Sequence, residues 1–502
     1  MTNALFDRLL APHGSRPDAL RVTPDGRHLI YSEMMGLSAR MAHMLVDEGV
    51  SPGDRVAAQV DKSPEALALY FACVQTGAVL LPLNAAYTTA EVTYFVADAE
   101  PGLVVCEPAM LTALEPVAVR YGAAILPLKG AANSFAQLAA TKPKTFHTVA
   151  RTSSDLAAIL YTSGTTGRSK GAMLTQDNLL SNALALAEAW RFTGDDVLLH
   201  ALPIFHTHGL FVATNIILAV GGSMLFLPRF DVQEVIRLLP RATSMMGVPT
   251  FYTRLLAEPE FTEALTRHMR LFVSGSAPLL ADTHMAFEER TGHRILERYG
   301  MTETNMNTTN PYDGPRKAGT VGKPLAAVDV VITDPETGAR LAAGEVGMIE
   351  VRGPNVFRGY WRMPEKTNEE LRSNGFFITG DLGLIDEDGY LVIVGRAKDL
   401  IITGGFNVYP KEVEMVVDEM VGVVETAVFG VPHPDFGEAV VAAVVIDDGS
   451  GLDEQRIIES ASDRLARFKQ PKRVVLVGAL PRNTMGKVQK STLRETYADL
   501  FG

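Results

Sequence analysis

The chain has 502 residues, more than one hydrophobic core ordinarily supports, so two or more domains are expected. Apolar residues make up 47% and charged residues 21%, and the formal net charge of -12 argues against a nucleic-acid surface, which needs clustered Lys and Arg. Only two cysteines occur, Cys73 and Cys106, outside any CxxC pair; no apolar run approaches about 20 residues and no signal peptide is evident, so a disulfide-free cytoplasmic protein without stable membrane association is expected.

In chain order, short apolar runs alternate with helix-length segments, the pattern of an α/β fold. A strand is expected over 56–60, a helix over 64–76, a strand over 77–83 and a helix over 89–98. The apolar run 156–161 reads as a buried strand entering a Gly/Thr/Ser loop. A helix follows over 176–190, with Leu179, Leu180, Leu184 and Leu186 available for one side. Further strands are expected at 197–201, 223–227, 271–274 and 294–296. Between 344 and 394, short strands at 347–351, 375–379 and 390–394 are broken by Gly and Asp turns, suggesting a β-rich subdomain. From about 398 the pattern becomes α+β, with a helix at 410–420, strands at 426–431 and 440–446, and a helix at 454–466. The expected boundary at 395–399 separates a large N-terminal domain of layered α/β subdomains, 1–397, from a small mobile α+β C-terminal domain, 398–502.

The sharpest local signal is Tyr161-Thr-Ser-Gly-Thr-Thr-Gly-Arg-Ser-Lys170-Gly171. Glycines let backbone amides turn toward one point, hydroxyls add donors, and a terminal lysine adds charge, so Thr162, Ser163, Gly164, Thr165, Thr166, Gly167 and Lys170 can hold a triphosphate. A Walker A loop is excluded by spacing, since Lys170 is followed by Gly171 rather than Ser or Thr. Four further segments follow in order: Tyr299-Gly-Met-Thr-Glu-Thr304, Thr379-Gly-Asp-Leu382, Val394-Gly-Arg-Ala-Lys-Asp399 and Pro481-Arg-Asn-Thr-Met-Gly-Lys487.

In this order the five segments resemble the adenylate-forming superfamily of acyl-CoA synthetases, luciferases and peptide-synthetase adenylation domains, over essentially the whole chain. Ser169 departs from the family's usual proline before the lysine. The resemblance implies an acid-thiol ligase using ATP, Mg²⁺ and coenzyme A. Tyr299 and Gly300 would line the nucleotide site, Thr302 would contact the α-phosphate, and Glu303 would hold Mg²⁺, a hard cation that prefers carboxylate and phosphate oxygens. Asp381 would bind both ribose hydroxyls, Arg396 would add a ribose or phosphate contact, and Lys487 would be the catalytic lysine. Lys398 would sit at the domain pivot, with Gly404 and Gly405 admitting the pantetheine arm. Lys487 would also be a target for an acetyltransferase, because acetylation removes its charge.

Within that superfamily the sequence is most similar to malonyl-CoA synthetases, on Pro203-Ile-Phe-His-Thr-His-Gly209, Val248-Pro-Thr-Phe-Tyr-Thr-Arg254 and Glu297-Arg-Tyr-Gly-Met-Thr-Glu-Thr-Asn305. The implied reaction converts malonate, ATP and CoA into malonyl-CoA, AMP and diphosphate through a malonyl-adenylate, with methylmalonate as a further substrate. The carboxylate that is not activated must meet a fixed cation when buried, for which Arg254 is the candidate, with Ser274 and His206 as further donors. His208 reads as structural. The alternatives are a medium-chain or aromatic acyl-CoA synthetase, with Arg254 pointing away from an apolar pocket, and a non-catalytic binding protein on the same fold. A carrier-protein loading module would need a carrier domain after Lys487, for which the sequence shown has no segment.

Overall fold

The computed structural model describes residues 3–14, 19–22, 28–162, 169–404, 406–447, 449–462, 464–483 and 486–501. Two compact units divide the chain: Met1–Val330 with Val351–Phe377, and Val331–Glu350 with Ile378–Gly502.

The first unit contains two sheets. A six-stranded sheet runs in the order Ala124–Pro127, Leu103–Cys106, Arg55–Gln59, Val79–Leu83, Leu156–Thr162, Lys170–Thr175, and is parallel except for the last pair. Between two of its strands the helix Pro64–Thr76 crosses over, as its sequence predicts: Ser63 accepts from the Ala66 amide as N-cap, and every residue from Ala66 to Thr76 is buried. A nine-stranded sheet runs Lys323–Pro324, Asn305–Thr309, Leu296–Met301, Leu271–Ser274, Ser244–Gly247, Val197–His200, Ser223–Phe226, Ala19–Val22, His28–Ile30. Tyr252, Leu255, Phe261, Phe272 and Phe287 pack into one of its cores. The strand expected at 294–296 instead covers Leu296–Met301, because the antiparallel partner Asn305–Thr309 carries it on as a hairpin.

In the second unit, a four-stranded sheet orders Asp329–Thr333, Gly347–Arg352, Phe377–Ile385 and Leu391–Arg396, all but their outermost residues belonging to this unit. A five-stranded sheet is built around the antiparallel pair Val423–His433 and Gly437–Ile446. Alternation along that pair divides the side chains between two cores. Val428, Val440, Ala442 and Val444 meet the helices Pro410–Asp418 and Glu454–Ser462, whereas Phe429, Val431, Val441 and Ala443 meet Leu493 of Lys490–Thr496.

Candidate active site

The hairpin Leu296–Met301/Asn305–Thr309 turns through Thr302, Glu303 and Thr304. Asn305 closes the turn at φ +49°, a left-handed conformation that asparagine tolerates, and the register shifts between Tyr299 and Gly300. A side chain at Gly300 would run into the Asn305 carbonyl, so only glycine permits this tight return. The turn buries the Glu303 carboxyl, 3.3 Å from the Thr162 hydroxyl at the end of Leu156–Thr162, and burial holds it above the ordinary carboxylate range. Thr162, Tyr299, Gly300, Thr302 and Glu303 are thus placed by adjoining strand ends. Ser163, Gly164, Thr165, Thr166 and Gly167 lie outside the described residues, as does Gly405.

Lys170 opens the strand Lys170–Thr175, and the segment around Tyr360 lies alongside that strand: the Trp361 amide donates to the Gly171 carbonyl at 2.7 Å, and Ala172 bridges to Tyr360. The buried Lys170 ammonium consequently meets the Tyr360 hydroxyl at 3.0 Å and both Glu370 oxygens at 3.2 Å. The Tyr360 hydroxyl also lies 3.1 Å from Glu303 and 2.6 Å from Glu370. Burial raises the Glu370 carboxyl, but the hydrogen bonds from Tyr360 and Lys366 and the Lys170 charge outweigh it and hold the group ionised. Neither Tyr360 nor Glu370 carries a motif signal, and only the pairing of distant segments reveals them.

A second polar cluster surrounds Arg298. This guanidinium is 3% exposed, and its Nε has no hydrogen-bond partner among the described residues. Burial pushes it down to about 9. It packs against Gly275, where any side chain would collide with it. Ser276, held at φ +72°, places its hydroxyl 3.2 Å from His208 Nδ1 and 3.5 Å from Arg298 Nη2. His208 is buried, its Nε2 has no partner among the described residues, and burial with the nearby Arg298 charge keeps its imidazole neutral. Left-handed backbone at serine is strained, and strain of this kind collects at functional sites. Ser274 is fully buried, its hydroxyl without a partner among the described residues, and His206 Nδ1 accepts from the His208 amide at 3.3 Å. Arg254 is exposed on the helix Pro249–Leu256 and makes no ion pair among the described residues. Within the segments that carry Arg254, His206 and Ser274 or adjoin them, the buried cation is Arg298 rather than Arg254 and the more deeply buried imidazole is His208 rather than His206.

The second unit places Asp381 and Arg396 opposite each other on neighbouring strands, with Arg396 Nε 3.0 Å from Asp381 Oδ1. Gly404 donates its amide to the Phe436 carbonyl at 2.9 Å. Lys487 is exposed in a tight hairpin: its amide donates to Asn483 Oδ1 at 3.0 Å, the Asn483 amide returns to the Lys487 carbonyl at 2.9 Å, and Arg482 is ion-paired to Glu425.

Residues 12–361 match the family described as AMP-binding enzyme, and residues 412–487 match the AMP-binding enzyme C-terminal domain. The chain belongs to the AMP-binding enzyme family. Its fold is shared with the ATP-bound MatB from Rhodopseudomonas palustris, at a TM-score of 0.96 and 57% identity over 100% of both chains. A malonate–CoA ligase of Arabidopsis thaliana is 33% identical over 95% of this chain and 86% of its own. A feruloyl-CoA synthase of an Amycolatopsis species is 36% identical over 96% of both. The chain is therefore an AMP-forming acyl-CoA ligase, with ATP and CoA as co-substrates.

Mg²⁺ fits the AMP-binding enzyme's first unit: a buried carboxylate, Glu303, stands beside the Thr162 hydroxyl and would offer the hard oxygen that such a cation prefers. When bound it would neutralise charge gathering on the phosphate oxygens. Thr162 and the turn at Thr302 would orient the triphosphate, and burial around Glu303 would exclude water.

Proposed function

We propose that this enzyme is a malonate–CoA ligase. A carboxylate oxygen of malonate attacks the α-phosphorus of ATP, diphosphate leaves, and the CoA thiol then attacks the malonyl-adenylate, losing its proton and releasing AMP. The observation that supports malonate is the buried Arg298 guanidinium, which has no counter-ion among the described residues and meets the Ser276 hydroxyl that also contacts His208. An isolated buried charge costs several kcal/mol, and the free carboxylate of malonate offsets that cost on both partners. Arg254, His206 and Ser274 serve this acyl site in the same reading, Arg254 from its exposed helix. The exposure of Arg254 is the one feature that fits a medium-chain or aromatic acid instead.

In this reading Thr302 and Glu303 serve the phosphates and metal, Asp381 and Arg396 the ribose, Gly404 and Gly405 the pantetheine arm, and Lys487 the adenylation step. The working domains are 1–397 and 398–502, with Lys398 at the pivot. An acetyltransferase acting on Lys487 would silence adenylation; full activity of the acetylated protein would reject this. Among the described residues no helix is long and apolar enough to cross a membrane. A cytoplasmic location agrees with two free, buried cysteines, and recovery with organelles on fractionation would overturn it.

The deciding experiment compares AMP release with malonate, methylmalonate, acetate, succinate, octanoate and 4-coumarate. Turnover confined to malonate and methylmalonate is expected. Preference for octanoate or coumarate would leave the ligase and overturn the substrate.

A further inference from the structure

Lys170 and Glu303 both lie within hydrogen-bond distance of one oxygen, the Tyr360 hydroxyl, so the ammonium and the carboxylate are no more than about 6 Å apart. Left to themselves, a lysine and a carboxylate that close in a buried setting pair with each other. They do not pair here. The ammonium has three protons, and the two oxygens of Glu370 and the Tyr360 hydroxyl take them up, while the cation also lies 4.1 Å over the Tyr360 ring. Glu370 is itself held by Tyr360 at 2.6 Å and by Lys366 at 3.0 Å.

We infer that Glu370 is a positioning residue that holds the Lys170 ammonium away from Glu303, and that Lys170 is a buried counter-ion rather than a direct ligand of the triphosphate. Glu303 thereby keeps its charge for a divalent cation. A lysine that answered the phosphates directly would have to abandon three acceptors and a ring face inside the unit. The inference rests on Glu303 as the metal ligand, so that assignment is checked separately: Glu303→Gln should abolish the tight Mg²⁺ requirement whatever Glu370 does.

The test is calorimetric titration of Mg²⁺ with ATP, in the absence of malonate so that no turnover occurs, alongside steady-state kinetics. Glu370→Gln frees Lys170 to pair with Glu303. The Mg²⁺ concentration for half-maximal ATP binding should rise by at least about tenfold, the equivalent of one close charge pair, with the malonate KM unchanged. Adding Lys170→Met to Glu370→Gln removes the competing ammonium, and Mg²⁺·ATP binding should recover toward that of the unaltered enzyme. Binding weaker in the double variant than in either single one would mean that Lys170 holds phosphate directly, and would overturn the inference. An unchanged Mg²⁺ requirement in Glu370→Gln would do the same. If the Gln variant does not fold, Glu370→Asp, which keeps the charge but withdraws it by one methylene, should show the same rise at smaller size, and no rise would count against the inference.

Discussion

At the scale of single residues, the proposed malonate preference rests on a buried cation, Arg298, that sequence pattern alone does not single out. Arg298 lies inside the motif Glu297-Arg-Tyr-Gly-Met-Thr-Glu, where the eye goes to Thr302 and Glu303. Arg254 ends a motif and offers the right chemistry, but its helix presents it to solvent. Truncating a buried charge whose partner is a substrate carboxylate costs about 3–5 kcal/mol. Arg298→Met is therefore expected to lower kcat/KM for malonate about 150- to 5,000-fold while leaving acetate, which has no second carboxylate, nearly unchanged. Equal losses on both acids would mean that Arg298 supports the fold and not the substrate. His208 was legible only as a histidine near a histidine. In the fold it is buried, and its Nδ1 meets the hydroxyl of Ser276, a residue 68 positions away.

At the scale of elements, the strongest sequence signals were local and came through. The helix Pro64–Thr76 and the strand Leu271–Ser274 match the expected ranges, because a capping serine and an unbroken apolar run act within a few residues. Strands that depend on a distant partner were misjudged in length: Phe377–Ile385 extends well past the expected 375–379, since Leu391–Arg396 pairs along it. The helix Pro410–Asp418 carries a prediction of its own. Asp418 Oδ1 is buried with no hydrogen-bond partner among the described residues, and burial pushes the carboxyl up to about 6, opposed by the Lys411 charge and reinforced by Glu414 and Glu425. A raised carboxyl favours the folded state only while protonated, so this contribution is present below about pH 4 and is lost as pH rises through about 6. Asp418→Asn should leave the melting temperature unchanged at pH 4 and raise it at pH 8, by up to about 3 kcal/mol of stability. No gain at pH 8 would show that the carboxylate is solvated after all.

At the scale of the whole molecule, Thr162, Lys170, Arg298 and Glu303 stand on one compact unit and Asp381, Arg396 and Lys487 on the other. The two half-reactions should therefore separate by substitution. Lys487→Ala is expected to lose adenylate formation while still passing preformed malonyl-adenylate to CoA, whereas Lys398→Pro should form adenylate and fail to transfer it. Retention of adenylation by Lys487→Ala would remove that lysine from the chemistry, and unimpaired transfer by Lys398→Pro would remove the pivot. By itself the sequence determined the family and the reaction class, because five short motifs stand in a fixed order along the chain and can be read without knowing which residues meet in space. It also determined the α/β texture, through apolar periodicity. Only the tertiary structure decided which arginine is buried, which histidine faces it, and that Tyr360 and Glu370 converge on Lys170. Burial and charge pairing are properties of neighbours in space, and segments nearly two hundred residues apart become neighbours only when the sheet that joins them has formed.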